Sequence, residues 1–508
     1  NPSAQINPIG NQIVCNETNS NEVVFSSNNL GGITTYSWTN SNTAIGLAAS
    51  GNGNIAVFPV KNTTSDPITA TIIVTPFFEN ASVKCSGNPE TFTITINPSP
   101  SVVFSSANQT ICSGETSTLV NLSSPTAGAT INWTATTPSG IIGVINSGTT
   151  TIPAQTLVNT TNAPITISYV AEAITNDPSA CKGSPITYTI TVAPKPDITE
   201  SFVASSCSEA VFSVTPSNNA SNSVPAGTTY SWDVPSTTAG LIAAAAGVNQ
   251  ANITGALTNT TNTVQTATYT VIPNFNGCAG SSFTVTVDVA PKPVIADIVY
   301  PSICSGDSFM VNPTNGGSTI VPNGTTYTWT VSSNSNLMGA SDSTVSGVTT
   351  ISQTLSNLTN TLQTINYTVT PISGDTGNCV GEPFVITISV SPKPSIVDST
   401  QTICSETAFS VTPSNGNGSI VPIGTTYTWT IVDNNPVGVI TGASNQATGV
   451  SIISQTLINT TITPASIEYI VTPSVGSCTG NSFSIIVTIN PKPSSLGLTD
   501  KTYCNAVP

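Results

Sequence analysis

The sequence predicts an all-β protein built as a tandem array of five β-sandwich domains. All five tryptophans, Trp38, Trp133, Trp232, Trp329 and Trp429, lie 95 to 100 residues apart. This period exceeds that of solenoid repeats and matches an independently folding sandwich of about 100 residues. β-branched residues dominate, helix signals are absent, and Pro, Gly or Asn interrupts the chain roughly every ten residues, as in short strands joined by turns.

Proline-rich joints divide the array. The predicted domains are residues 1–97, 98–193, 194–290, 291–391 and 392–490, and 491–508 is expected to be the start of a truncated sixth repeat. The joints read Asn97-Pro98-Ser99-Pro100, Pro194-Lys195-Pro196, Pro291-Lys292-Pro293, Pro392-Lys393-Pro394 and Pro491-Lys492-Pro493. Alternating prolines favour extended polyproline II geometry, so each joint is predicted to be a short, stiff spacer. A lysine at four of the joints argues against calcium as their organiser.

The strands of the fifth repeat show the pattern of all five. Residues 425–431 form a strong strand signal that carries Tyr427 and Trp429 on one face, and residues 467–471 and 482–489 are further strands. Each tryptophan follows the first cysteine of its repeat by 21 to 25 residues. Such regular spacing favours a core position for all five tryptophans. The alternative is a platform on which sugars stack.

Eleven cysteines occur singly, with gaps that alternate between about 70 and about 26 residues. Two cysteines in each repeat produce this alternation and predict structural disulfides, whereas a zinc site would need paired cysteines or a histidine, and the chain has neither. Persistent disulfides require an oxidising compartment, so the protein is expected to be secreted. The favoured pairing lies within each repeat: Cys15 with Cys85, Cys112 with Cys181, Cys207 with Cys278, Cys304 with Cys379, and Cys404 with Cys478.

That pairing depends on where the two cysteines of a repeat lie. If they lie at opposite ends of the sandwich, they are expected to bridge neighbouring repeats instead. Cys504 stands where the first cysteine of a sixth repeat would be, and its partner is expected outside the chain.

Composition excludes several functions. Charged residues make up 6% of the chain, the net charge is −15, and all eight basic residues are lysines, so nothing could displace counterions from a nucleic acid. No apolar run approaches the ~20 residues that span a bilayer, and no basic, apolar leader precedes the first repeat. Without histidine, only paired carboxylates could support catalysis. Asp375, Asp433 and Glu468 are scattered and recur in no fixed place, so no enzyme activity, metal or cofactor is expected.

The recurrent Asn/Thr-rich segments are the one repeated polar feature. They are Asn62-Thr63-Thr64, Asn159-Thr160-Thr161, Asn259-Thr260-Thr261 and Asn459-Thr460-Thr461. They are either solvated turns or the exposed loops of a binding array that gains avidity from repetition. Four of the eight lysines precede a proline, which protects them from trypsin-like cleavage and favours a spacer.

Several motifs resemble those of a known repeat family. The Pro-Lys-Pro joint, residues 303–306 (I-C-S-G), residues 324–330 and 424–430 (G-T-T-Y-T-W-T), and the closing Y-x-V-x-P resemble PKD-like, immunoglobulin-like repeats of giant Bacteroidota cell-surface adhesins of the gliding-motility type. The second repeat departs with Ile131-Asn132-Trp133, and the first has Thr71-Ile72 where later repeats carry a tyrosine.

The resemblance covers the whole chain and implies five immunoglobulin-like domains of an extracellular adhesin exported by type IX secretion. It implies a stalk or filament segment that gives reach and stiffness for attachment or gliding. The alternative is a multivalent array that binds glycans or surfaces through loops. Expected partners are further repeats of the same polypeptide and external surfaces or glycans. The resemblance also makes Ser343 and Ser399, each after an aspartate, candidate O-glycosylation sites.

Overall fold

The computed structural model describes residues 2–374 and 377–493. Apart from one 3-10 turn at Thr43–Ile45, its regular structure is β throughout, which confirms the predicted fold class. The first module contains β1 (Gln12–Cys15), β2 (Ile33–Asn40), β3 (Ser50–Asn52), β4 (Ile68–Asn80), β5 (Val83–Ser86) and β6 (Glu90–Asn97). The second contains β7 (Val103–Phe104), β8 (Gln109–Cys112), β9 (Val120–Ser123), β10 (Thr130–Ala135), β11 (Ile141–Ile142), β12 (Ser147–Gly148), β13 (Thr151–Ile152), β14 (Val158–Asn159), β15 (Ile165–Ile174) and β16 (Ile186–Ala193).

The remaining modules repeat this arrangement. The third contains β17 (Asp197–Ile198), β18 (Phe202–Cys207), β19 (Val211–Val214), β20 (Asn222–Ser223), β21 (Thr229–Trp232), β22 (Ser236–Thr237), β23 (Leu241–Ile242), β24 (Gly247–Gln250), β25 (Ile253–Ala256), β26 (Thr258–Asn259), β27 (Gln265–Phe275), β28 (Cys278–Ala279) and β29 (Phe283–Ala290). The fourth contains β30 (Ile298–Val299), β31 (Ile303–Cys304), β32 (Ser308–Val311), β33 (Thr326–Val331), β34 (Leu337–Met338), β35 (Ile351–Thr354), β36 (Ser356–Asn357), β37 (Gln363–Ile372) and β38 (Phe384–Ser391). The fifth contains β39 (Ser399–Cys404), β40 (Thr407–Val411), β41 (Thr426–Val432), β42 (Ile440–Thr441), β43 (Gln446–Val450), β44 (Ile453–Asn459), β45 (Ala465–Val475), β46 (Cys478–Thr479) and β47 (Phe483–Asn490).

The larger sheet has the same strand order in every module. Four strands recur, named here the cysteine strand (β1, β8, β18, β31, β39), the last strand (β6, β16, β29, β38, β47), the long strand (β4, β15, β27, β37, β45) and the Trp strand (β2, β10, β21, β33, β41). They lie side by side in that order. The cysteine strand runs parallel to the last strand, and the other neighbours are antiparallel.

A second, smaller layer closes each sandwich. In the fifth module it is the sheet β40-β44-β42, and in the second it is β13-β9-β7 together with β11-β14. In the first module the corresponding contacts are isolated bridges, Asn19 with Pro59 and Val23 with Ile55.

Every module buries its own hydrophobic core between the two layers. Five separate clusters occur in the described residues, and each draws its members from one module only. The long strand shows why these residues form a sheet: Ile167, Tyr169, Ala171 and Ala173 alternate with exposed or half-buried neighbours, and side chains two apart in a strand share one face. Each module therefore has the core of an independent domain.

Candidate functional site: the disulfide-bridged joints

The structure joins cysteines of neighbouring modules. Cys15 bonds Cys181, Cys112 bonds Cys278, Cys207 bonds Cys379, and Cys304 bonds Cys478. Their Cα atoms lie 5.4 to 5.6 Å apart, within the usual range for disulfides. The first cysteine of each module thus pairs with the second cysteine of the next, across the joint.

The predicted pairing within each module is therefore wrong, and the parallel cysteine strand is the reason. Cys15 lies opposite Asn97, the first residue of its joint, and Cys207 lies opposite Ala290, directly before the joint that begins at Pro291. The second cysteine precedes the last strand and so lies at the other end of the module. A strand of eight residues separates the two by roughly 25 Å at ~3.3 Å per residue, which no disulfide spans.

The remaining cysteines fit the same pattern. Among the described residues Cys85 and Cys404 are free, Cys85 half-buried and Cys404 exposed. Cys85 is a second cysteine whose counterpart would precede the first module, and Cys404 is a first cysteine whose counterpart would follow Pro493. Neither forms the predicted bond, with Cys15 or with Cys478. Cys504 lies outside the described residues.

Prolines of the four inner joints are buried. Both prolines of the joints Pro98/Pro100, Pro194/Pro196, Pro291/Pro293 and Pro392/Pro394 are buried. The second proline presents its carbonyl oxygen to a glycine that follows the second cysteine of the next module: Gly183, Gly280, Gly381 and Gly480. A Cβ atom on any of these glycines would collide with that oxygen, so glycine is required for close contact of the two chain segments. The second proline of each joint is thus packed against the module that follows it.

A buried asparagine anchors the cysteine strand in every module. The residues are Asn62, Asn159, Asn259, Asn357 and Asn459, each 2–7% exposed. In the fifth module the Asn459 side-chain amide donates to the carbonyl oxygens of Thr463 and Ile489, both at 2.8 Å, and its oxygen accepts from the Thr461 backbone and hydroxyl. Its backbone N–H donates to Ser405, the residue after Cys404. The side-chain bond to the last strand recurs at the other four positions, and in the first module the backbone N–H of Asn62 donates to Asn16 in place of a serine.

The contacts of these asparagines favour the turn interpretation of the Asn/Thr-rich segments. Both amide hydrogens and the side-chain oxygen are engaged inside the module, so the asparagine has no group left for a ligand. Its role is to tie the turn to the last strand, next to the disulfide. The recurrence at Asn357-Leu358-Thr359 shows that the motif is Asn-x-Thr.

Electrostatic contacts cross the joint between the third and fourth modules. Lys292 lies 2.9 Å from Glu382 of the fourth module and 3.7 Å from Glu209 of the third. The hydrogen bond to Glu382 raises the pKa of Lys292. Both glutamates are largely exposed, so the pairs contribute little to stability. Lys492 makes one such contact, with Glu406.

The five tryptophans lie in the cores, 2–8% exposed. The indole N–H of Trp133, Trp232, Trp329 and Trp429 donates to a backbone carbonyl at 2.9 to 3.1 Å. Trp429 meets Tyr469 edge to face, with ring centroids 6.3 Å apart. No face of these rings is presented to solvent for stacking on a sugar.

The carboxylates do not form a catalytic pair in the described structure. Asp433 is exposed and accepts hydrogen bonds from Asn435, and Glu468 accepts from Ser484 at 2.6 Å. Asp375 lies outside the described residues. A cleft of about 450 Å³ beside the Trp strand of the third module contains Asp233 as its single carboxylate. Among the described residues no group of three or more Cys, Asp or Glu side chains could hold a metal ion.

The candidate glycosylation serines differ in accessibility. Ser343 is half-buried, and its hydroxyl accepts from the Trp329 backbone at 2.9 Å. The Ser399 hydroxyl is buried and has no hydrogen-bond partner within the described part of the chain. Ser399 as a whole is partly exposed.

The geometry defines a class: tandem β-sandwich modules locked to their neighbours by disulfides. The model of the PKD-like domain matches residues 109–196, 204–293, 301–394 and 401–493, which is more than half of the chain. The chain belongs to the PKD-like domain family. Its first module shares the strand order although that model does not match it.

Solved structures of other tandem β-domain proteins are also similar. The human desmocollin-1 ectodomain is 12% identical with a TM-score of 0.23, covering 97% of this chain and 100% of that chain. Mouse cadherin-23 EC22-24 is 12% identical with a TM-score of 0.24, covering 57% and 100%. The N-terminal eight Ig domains of DSCAM are 10% identical with a TM-score of 0.24, covering 96% and 70%. Such low values give these likenesses no weight in assigning a function. No curated protein matches the sequence.

No helix in residues 2–374 and 377–493 is long and apolar enough to cross a membrane.

Proposed function

We propose that the chain is a stalk or filament segment of a large cell-surface adhesin, and that it supplies reach and stiffness for attachment or gliding. The modules at 1–97, 98–193, 194–290, 291–391 and 392–490 act as spacers and perform no chemistry. The observation that carries this proposal is the covalent bridge at each of the four joints between them. A bridge between modules fixes their relative position, whereas a bridge within a module would stabilise only that module.

Two further features support a role outside the cytoplasm. Four disulfides persist only in an oxidising compartment. The surface is wetted by Thr, Ser and Asn with only 6% charged residues, as in secreted repeat proteins. Assignment to Bacteroidota, type IX secretion and gliding motility rests on the resemblance of the motifs.

Two of the features that favoured a multivalent binding array have structural roles instead. The recurrent asparagines are engaged within each module, and the tryptophans lie in the cores. Ligands of the complete adhesin are therefore expected to bind elsewhere in the protein, and glycans and external surfaces are its proposed partners.

Peptide mapping without reductant tests the bridges directly. It should recover Cys15 with Cys181 and Cys207 with Cys379 in one linked peptide each. Recovery of Cys112 with Cys181 would show the bond within a module and remove the support for a locked rod.

An attachment assay tests the function. Cells that display the adhesin with these five modules deleted should bind a surface less well than cells with the full stalk, and replacement by five unrelated rigid β-sandwich modules should restore binding. Rescue by the unrelated modules would show that length is what the stalk supplies. Failure of that rescue would point instead to a ligand on the PKD-like modules.

A further inference from the structure

The disulfides connect in a staggered order that creates shortcuts along the covalent chain. One route begins at Cys15 and passes through the disulfide to Cys181, then along the chain to Cys207. From there it passes through the next disulfide to Cys379 and along the chain to Cys404. A second route crosses from Cys112 to Cys278, follows the chain to Cys304 and crosses to Cys478. Each bridge omits 166 to 174 residues.

The chain segments on these routes share one structure. Residues 181–207, 278–304 and 379–404 each consist of the last strand of one module, the buried joint, and the cysteine strand of the next module. Each segment therefore runs from the start of one module to the end of the following module. At ~3.4 Å per residue, 26 residues span at most about 90 Å, and two sandwich modules with their joint extend roughly 70 to 90 Å. The segments are nearly taut in the folded array.

The two routes run side by side through every inner module. In the third module β18 belongs to the segment 181–207 and β29 to the segment 278–304, and these two strands pair in parallel over six residues. The loops, the long strand and the Trp strand of the module lie on neither segment. Tension along the array would therefore act on two paired, extended strands and leave the rest of the core unstretched.

We propose that the two staggered routes form a disulfide relay that carries tension along the array and prevents its modules from being pulled out into extended chain. The relay deepens the proposed stalk function and rests on it for its biological purpose. Its mechanical consequence follows from the connectivity alone. Reduction of the disulfides would greatly increase the length to which the array can be stretched.

Single-molecule stretching of the full chain tests the relay. Every protein that is stretched carries serine at Cys85, Cys404 and Cys504, so that no free thiol can exchange with a disulfide. In the oxidised chain only one module should be able to unfold into extended chain, and the others should stretch little beyond their folded length. The reduced chain should reach roughly 1,600 Å between Cys15 and Pro493. It should release about 300 Å for each module that unfolds. An oxidised chain that reaches the reduced length would overturn the relay.

Three variants that each retain two of the four bridges provide a matched comparison. In each variant, serine replaces both cysteines of the two bridges that are removed. Two of these variants preserve one complete route: the first keeps Cys15–Cys181 with Cys207–Cys379, and the second keeps Cys112–Cys278 with Cys304–Cys478. In both, the shortest covalent path between Cys15 and Pro493 should be about 140 residues, roughly 480 Å. Keeping the overlapping pair Cys15–Cys181 with Cys112–Cys278 should allow about 280 residues, roughly 950 Å. Equal lengths in all three would refute the relay.

This readout does not depend on how stable the variant modules are, because it measures the fully stretched chain. It also separates the relay from the stalk function. Unchanged attachment after deletion of the modules would count against the stalk and leave the measured lengths intact. Equal lengths would count against the relay whatever the attachment assay shows.

Discussion

Asn459 shows how much one side chain holds in place beside a joint. Its amide reaches the last strand, its oxygen caps the following turn, and its backbone binds Ser405 next to Cys404. Loss of a buried partner leaves the carbonyl oxygens of Thr463 and Ile489 without their donor, which is costlier than the loss of an exposed bond.

We expect Asn459→Ala to destabilise the fifth module by about 1 to 3 kcal/mol. Hydrogen exchange should become faster in β44 and β47 and stay unchanged in the second module, which has its own core. Thr463→Ala is the control, because Thr463 is exposed and contributes only backbone groups, its carbonyl to Asn459 and its N–H to Thr461. Equal effects of the two substitutions would contradict the anchoring role of the asparagine.

Gly480 lies against the Pro394 carbonyl oxygen of the fourth joint, two residues after Cys478. We expect Gly480→Ala to displace Pro394, because its Cβ would meet the Pro394 carbonyl oxygen, and to lower the yield of the Cys304–Cys478 bond in non-reducing peptide maps. Gly10→Ala has open space around the new methyl group and should leave every bridge intact. A normal yield in Gly480→Ala would show that the joint is looser than the structure indicates.

The long strand places a tyrosine in the core of four modules. Burial raises the pKa of Tyr269 to about 12 and also raises the pKa of Tyr169, Tyr367 and Tyr469. The first module has Ile72 at this position, also buried, and so serves as an internal comparison.

These shifts predict a loss of stability at alkaline pH. The folded state favours the neutral phenol, so the contribution is complete below pH 10, the ordinary tyrosine pKa, and declines as pH rises through the folded-state value. For Tyr269 the window is pH 10 to 12. Absorbance of tyrosinate and hydrogen exchange should report the change together in the third module, and Tyr269→Phe should make that module less sensitive to pH. The same sensitivity in Tyr269→Phe would exclude this residue as the cause.

At the scale of the whole molecule, the five modules should form a rod of about 200 Å, from roughly 35 to 45 Å per module. Solution scattering should give this maximum dimension. Replacing each Pro-Lys-Pro by Gly-Ser-Gly should shorten the mean end-to-end distance of the array only slightly while the bridges are intact. After reduction the same replacement should shorten it clearly, because the flexible linkers then determine how neighbouring modules are oriented. Strong shortening in the oxidised variant would mean that the prolines, and not the disulfides, hold the modules in line.

The array and its strands could be predicted from the sequence, because Trp spacing and alternating patterns are local signals. The disulfide pairing could not, since it depends on whether the strand before Cys15 lies parallel or antiparallel to β6. Antiparallel pairing would have placed that cysteine beside the turn that contains Cys85. The recurrent asparagines were visible as a motif, but their role depends on the carbonyl oxygens of Ile96 or Ile489, some 30 residues away. No local pattern indicates such a partner.

The staggered bridges also set an order for biogenesis. Cys15 has to wait for Cys181, 166 residues later, whereas a bond to Cys85 would have closed after 70. When a module has just been synthesised, its first cysteine is therefore still a free thiol. That thiol forms its disulfide only when the next module has folded against it. A joint can therefore be oxidised only after both of its modules have folded, and every unfinished joint leaves two thiols free.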